Sequence, residues 1–183
     1  MTKRLFVAID LPESTARRLE QLDPHHAGVR WIPRDQLHLT LGFFGHVPAA
    51  TEDLFRQNLA AIQFHSFFLP FVGTGTFPRN GQPKILWIGV GSGHPHLFQI
   101  HKRVQEAAFS SGIEPELRPW HPHVTLARCR DVSRQALHAF LRQTADYHAG
   151  PIKVNEFHLY SSKLLPSGSV HSRELTIACS DTR

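Results

Sequence analysis

Leu37-His38-Leu39-Thr40-Leu41-Gly42-Phe43-Phe44-Gly45 contains the pattern His-x-Thr-Leu, which returns 85 residues later as His123-Val124-Thr125-Leu126. In an extended strand, side chains two apart share a face. Each copy therefore sets an imidazole beside a hydroxyl, while Leu39, Leu41, Val124 and Leu126 turn the other way into a core. Even with 14 histidines in the chain, a His-apolar-Thr-Leu run is expected roughly 0.03 times by chance, so two copies are a signal rather than a coincidence. Brought face to face, the two strands offer two imidazoles and two hydroxyls to one small anion.

Outward from these copies, the chain reads as the same order of elements twice. Arg4–Ile9 is a compact apolar strand ending at Asp10-Leu11-Pro12, and Pro12 and Glu13 open a helix through about Leu22. Val29–Ile32 precedes the first motif strand, Leu37–Phe44, which Gly45 is expected to close. A helix over Thr51–Ile62 and a strand over Phe67–Phe77 follow. In the second half come a buried strand at Ile85–Val90, a helix at His96–Ser111 with apolar residues at helical spacing, and the second motif strand. A helix at Ser133–Thr144 and a strand at Ile152–Ser161 complete it. His38 to Phe67 and His123 to Ile152 are both intervals of 29 residues. Such self-similarity is the trace of an internal duplication, with repeat units at about 4–77 and 85–162. A C-terminal hairpin is expected over 156–178, turning at Pro166-Ser167-Gly168. The expectation is a single α+β domain of two pseudo-symmetric lobes. Two mostly antiparallel sheets, flanked by helices, leave a central cleft that carries both motifs.

Bulk properties bound the partners. The 183 residues can bury a core without staples. Two cysteines, Cys129 and Cys179, provide neither a disulfide framework nor a cysteine-based zinc site and fit a reducing compartment. The opening MTKRLFVAIDLPE has an apolar run of five residues, short for a signal peptide, and no segment approaches a membrane span. A cytoplasmic, monomeric protein with no membrane association is expected. A net charge of +5 and a pI near 9.7 favour an anionic partner.

The paired pattern suits acid–base chemistry at phosphorus. One neutral imidazole takes a proton from an attacking water and one protonated imidazole delivers a proton to the leaving alkoxide. An ordinary histidine pKa near 6.5 makes both forms accessible at neutral pH. Thr40 and Thr125 can hold non-bridging phosphate oxygens. Neither a metal nor any other cofactor is required, and a strained 2',3'-cyclic phosphate is the natural target. The residues alone leave open which histidine is the acid.

In the contexts LHLTLGFFG and WHPHVTLAR, the pair resembles the 2H phosphoesterase superfamily, and within it the RNA 2',3'-cyclic phosphodiesterases, also named 2'-5' RNA ligases. RLFVAIDLP, VRWIP and FHLYSSKLLPSG extend the likeness over nearly the whole chain. The resemblance implies hydrolysis of a 2',3'-cyclic phosphate at an RNA 3' end or on a nucleotide to a 2'-phosphate. It implies His38 as proton donor to the leaving 3' oxygen, His123 as proton acceptor from water, and Thr40 and Thr125 as phosphate ligands. The chain departs from the family at Phe44, where Leu is usual, and at His171, where an aromatic is common. The competing readings are 2'-5' RNA ligation, the reverse reaction, and an RNA-end binding module without turnover. An intact quartet argues against the last.

Other residues are less specific. Arg128 follows the second motif, and the family's recurrent arginine there implies substrate binding. Strict alternation puts it opposite His123, so contact with phosphate or base needs a bulge or a strand end there. Phe44 shares parity with His38, and Trp120 precedes the second motif. Either could stack on a base, and both also suit core packing. His94-Pro95-His96 and His121-Pro122-His123 have the spacing of metal ligands, but no acidic residue sits nearby in sequence to complete a set. The remaining histidines, including His101 and His158, read as surface or packing residues.

Overall fold

The computed structural model describes residues 2–78, 81–114, 116, 118–166 and 168–180. Among them lie nine strands: β1 (Thr2–Asp10), β2 (Val29–Trp31), β3 (His38–Pro48), β4 (Phe67–Phe77), β5 (Ile85–Gly89), β6 (His123–Cys129), β7 (His148–Val154), β8 (Glu156–Leu165) and β9 (Gly168–Ala178). Four helices join them: α1 (Glu13–Glu20), α2 (Ala49–Ala60), α3 (Pro95–Ser110) and α4 (Arg134–Gln143). None is long and apolar enough to cross a membrane.

Each helix covers the sheet with its apolar stripe. From α3, Leu97, Ile100, Val104, Ala107 and Ala108 are buried at three- and four-residue intervals, and Phe55 and Leu59 of α2 join the same core. Leu137 and Phe140 of α4 make a second, smaller cluster with Leu86, Ala127 and Cys129. Two helices carry side-chain N-caps: the His94 side chain accepts from His96 N–H, and Ser133 Oγ accepts from Ala136 N–H.

The strand order is β7-β4-β5-β6-β3-β1-β8-β9, with β2 also on β6, and all these strand pairings are antiparallel. The two expected sheets are thus the halves of one hydrogen-bonded path, meeting at a single pair, Leu39 against Val124. Read from that centre outward, the order is symmetric: β3 answers β6, β1 answers β5, β8 answers β4, and β9 answers β7.

The spatial halves do not coincide with the sequence units 4–77 and 85–162. β4, from the first unit, pairs with β5 and β7, whereas β8 pairs with β1. The strand expected at Ile152–Ser161 is two strands, β7 and β8, parted at Asn155 where the chain crosses between halves. Unbroken apolar alternation conceals that crossing. β3 also runs past its expected end. Gly45 takes a left-handed φ of +64° yet stays paired with Leu5, and the strand continues to Pro48. The C-terminal hairpin spans β8 and β9 as expected; within its turn, Ser167 lies outside the described residues.

Because one rung carries the junction, its buried side chains should be costly to trim. Leu39 is fully buried, so Leu39→Ala is expected to lose about 2–5 kcal/mol in denaturant unfolding. A loss below about 1 kcal/mol would show that the halves do not depend on it.

Candidate active site

Antiparallel register fixes the motif geometry. With Leu39 opposite Val124, His38 falls beside Thr125 and Thr40 beside His123. The four side chains occupy the corners of a rectangle about 5 Å across the strands and about 7 Å along them. All four are half-buried, while Leu39, Leu41, Val124 and Leu126 are fully buried on the opposite face. Burial of those four apolar residues therefore dictates which face the histidines take.

The two imidazoles are held in the same way. His38 Nδ1 lies 2.7 Å from the Gln36 carbonyl oxygen, and His123 Nδ1 lies 2.7 Å from the His121 carbonyl oxygen. A carbonyl only accepts, so Nδ1 carries the proton in both rings and Nε2 remains for chemistry. Burial is the main force holding His38 below the ordinary histidine value. The Gln36 hydrogen bond and the Asp10 carboxylate oppose it, while His171 and His123 reinforce it. His123 is likewise lowered chiefly by burial; its carbonyl hydrogen bond opposes, and the His121 ring adds to the lowering.

The surroundings of the two rings differ. Asp10 stands directly across from His38, and Gly89 takes the matching place across from His123. The Asp10 carboxylate accepts from Tyr160 Oη at 2.7 Å on both oxygens and from Arg173 Nη2 at 2.6 Å. Fully buried His158 sits behind it, Nε2 at 3.6 Å. Burial first, then the bond to Asp10, pushes Tyr160 up to about 12, which keeps its hydroxyl a donor through the neutral range. Phe6 lies within ring contact of His38, Tyr160 and His171, and His171 meets His38 edge-on at 5.8 Å. These residues border a cavity of about 550 Å³ reaching from His38 toward α1. His123, Thr40 and Thr125 lie outside its lining, so the cavity adjoins the quartet from the His38 side. Around His123 the packing is Phe77, Trp87 and His121, and the Trp87 ring lies over Gly75, where a Cβ would come within 2.2 Å of it.

A bulge follows each motif at the same residue. Val7 pairs with Gly42 and Ala8 with Thr40, leaving Leu41 as the extra residue; Leu86 pairs with Ala127 and Trp87 with Thr125, leaving Leu126. The freed carbonyl groups are satisfied: Leu41 O accepts from His101 Nδ1 at 2.7 Å, and Leu126 O from Ile32 N–H at 2.8 Å. Trp120 stacks on His101, ring centroids 3.9 Å apart, and donates to Thr40 O. It buttresses the motif backbone rather than offering a base platform.

Each bulge reverses parity beyond it. Arg128 consequently returns to the His123 face, beside Ile85 and in line with Trp87. Phe44 moves the other way and the parity argument for it is corrected. Its ring turns toward the helices and packs on Phe55, centroids 4.8 Å apart. Phe43 is the residue on the His38 face, 44% exposed, with the Arg4 guanidinium 4.6 Å from its centroid. Among the described residues, no group of three or more His, Cys, Asp or Glu converges as metal ligands would.

This arrangement can be compared with known proteins. The profile of the 2'-5' RNA ligase superfamily matches residues 11–164. The chain belongs to that superfamily. It is 34% identical over 149 residues to a protein of Aeropyrum pernix named RNA 2',3'-cyclic phosphodiesterase, covering 80% of this chain and 85% of the relative. A protein of Aquifex aeolicus with the same name is 29% identical over 170 residues, covering 91% and 90%. Among solved structures, Escherichia coli LigT complexed with 3'-AMP superposes with a TM-score of 0.83 at 26% identity, over 99% of this chain and all of the other.

Sequence reasoning missed Asp10, Tyr160, Arg173 and His158 as one cluster. They come from β1, β8 and β9, and only the register between distant strands reveals that they share the motif face. The parity correction is directly measurable. Phe44→Ala should cost about 2–3 kcal/mol of stability, toward the low end for a Phe because the ring is half-buried. Phe43→Ala should stay within about 1 kcal/mol. The reverse order in thermal or denaturant unfolding would refute the bulge assignment.

Proposed function

We propose that the protein is a phosphodiesterase that opens 2',3'-cyclic phosphates at RNA 3' ends or on nucleotides, leaving a 2'-phosphate. The observation that carries this reading is the quartet itself. Two imidazoles, each with Nδ1 tied to the carbonyl two residues before it, direct their Nε2 atoms to one face beside two threonine hydroxyls. Membership of the superfamily and the phosphodiesterase names of its curated relatives support it.

In the proposed step, Thr40 and Thr125 hydroxyls donate to non-bridging oxygens. His123 Nε2 takes a proton from water as its oxygen attacks phosphorus. The bond from phosphorus to the 3' oxygen breaks, and His38 Nε2–H protonates that oxygen. The products are a 2'-phosphate and a 3'-hydroxyl, and solvent resets both rings. Chemistry of this kind needs no metal. With an RNA 5'-hydroxyl in place of water as the nucleophile, and the 3' oxygen leaving as before, the same groups would join two RNA ends 2'-5'.

The acid role for His38 has a physical argument beyond resemblance. Asp10 is the acidic residue opposite His38, and its negative charge favours the imidazolium; His123 faces Gly89 and a second imidazole. The cavity also lies on the His38 side, where the leaving oxygen carries its ribose. Arg128, on the His123 face, would hold substrate phosphate.

The decisive test is turnover of 2',3'-cyclic AMP in EDTA, with the product isomer identified. His38→Ala and His123→Ala should each lower kcat/KM by about 10²–10⁴-fold, and the product should be the 2'-phosphate. Full activity in both variants, activity abolished by EDTA, or a 3'-phosphate product would each overturn the reading.

The two histidines predict a pH profile. Activity requires His38 protonated and His123 neutral, and both are held below 6.5 in the free protein, so kcat/KM should peak below pH 6.5. Asp10→Asn removes the negative charge that raises His38. Its alkaline limb should therefore move to lower pH, with the His38 ring resonance titrating lower and His123 unchanged. An unmoved limb would remove Asp10 from the mechanism.

A further inference from the structure

On β6, three residues past Thr125, Arg128 is paired with Arg30 of β2. Val29 and Trp31 pack against the cluster containing Ala127 and Cys129, so Arg30 and Arg128 both turn to the opposite face, the face of His123 and Thr125. β2 and β3 lie along the same edge of β6. Arg30 therefore follows His38 along that edge, and the two arginines occupy directly opposed strand positions just past the quartet.

Arg30 also reaches the hairpin that borders the cavity. Gly168, at the turn of the β8–β9 hairpin, is close enough to Arg30 that a Cβ there would lie 3.6 Å from Arg30 Nη2. Two residues on, Val170 lines the cavity, as does His171, which contacts His38. Three residues along a bulged strand span roughly 7–10 Å, the scale on which successive phosphates follow one another in extended RNA.

We infer that Arg30 and Arg128 together form a second phosphate subsite, which receives the phosphate on the 5' oxygen of the terminal nucleoside while the quartet holds the cyclic phosphate. The inference rests on the phosphodiesterase reading and sharpens its substrate class: an RNA terminus is preferred over an isolated cyclic nucleoside. Guanidinium groups suit the role because they hold phosphate oxygens by paired N–H donors. Arg30 is the new element, since β2 is remote in sequence from both motifs.

The test compares three substrates: 2',3'-cyclic AMP, the same compound carrying a 5'-phosphate, and the dinucleotide ApA with a 2',3'-cyclic phosphate end. The protein should turn over the dinucleotide with a kcat/KM at least about tenfold above that of cyclic AMP, the scale of one charge-assisted contact. Arg30→Gln should lower the dinucleotide value about tenfold more than the cyclic AMP value. It should also flatten the dependence of log(kcat/KM) on log salt by about 0.7–1. An equal gain from the 5'-phosphorylated mononucleotide assigns the anion to any 5'-phosphate, and a larger gain from the dinucleotide assigns it to the chain; both support the subsite. Equal losses on all three substrates, or no loss on any, would overturn it. Absence of turnover on every substrate by the unmodified protein would instead defeat the phosphodiesterase reading beneath it.

Discussion

The antiparallel contact between Leu39 and Val124 is the constraint from which the site follows. Removing those two side chains and their neighbours Leu41 and Leu126 from water contributes on the order of 1.5–3 kcal/mol each. They can be buried together only if the other face of each strand carries the histidines and threonines. A slip of one residue in either strand would send the imidazoles into the core and the leucines to solvent. Hydrophobic burial thus enforces the convergence of four polar side chains, although none of them contributes much to holding the fold together.

The paired bulges are the second constraint. An extra residue in the strand after each motif frees a backbone carbonyl, and a buried carbonyl without a donor is costly. His101 and the chain at Ile32 supply those donors. The consequence reaches the site, because parity reverses beyond each bulge. It brings Phe43 and Arg128 to the motif face and sends Phe44 to the helices. One local irregularity, present in both motif strands, decides which side chains share the motif face.

Much of this was legible in the sequence because its signals are local. Period-two alternation, capping residues and the recurrence of His-x-Thr-Leu point to the strands, the helices and the quartet without any knowledge of long-range pairing. What stayed hidden depends on register between distant segments. Nothing in the spacing of Phe43 and Phe44 signals a bulge at Leu41, since a leucine there suits regular and bulged strands alike. The crossing at Asn155 is hidden in continuous apolar alternation. Asp10, Tyr160 and Arg173 lie as much as 163 residues apart in sequence, and only the order β3-β1-β8-β9 makes them neighbours.

Symmetry in the sequence and asymmetry in the chemistry are reconciled at one position. The two motif strands are alike in pattern, in bulge and in the carbonyl that orients each ring. Two identical imidazoles around one phosphate would compete equally for a single proton, and a mixture of useful and useless protonation states would follow. The two rings differ in their surroundings by one carboxylate, Asp10 beside His38 against Gly89 beside His123, and Tyr160 and Arg173 hold that carboxylate fixed by hydrogen bonds. A difference of about 1.4 kcal/mol between the two rings is enough for a tenfold preference, the scale on which one fixed charge a strand away acts. Division of labour between equivalent histidines therefore requires no change in the motifs themselves, only a change of residue on the strand beside one of them.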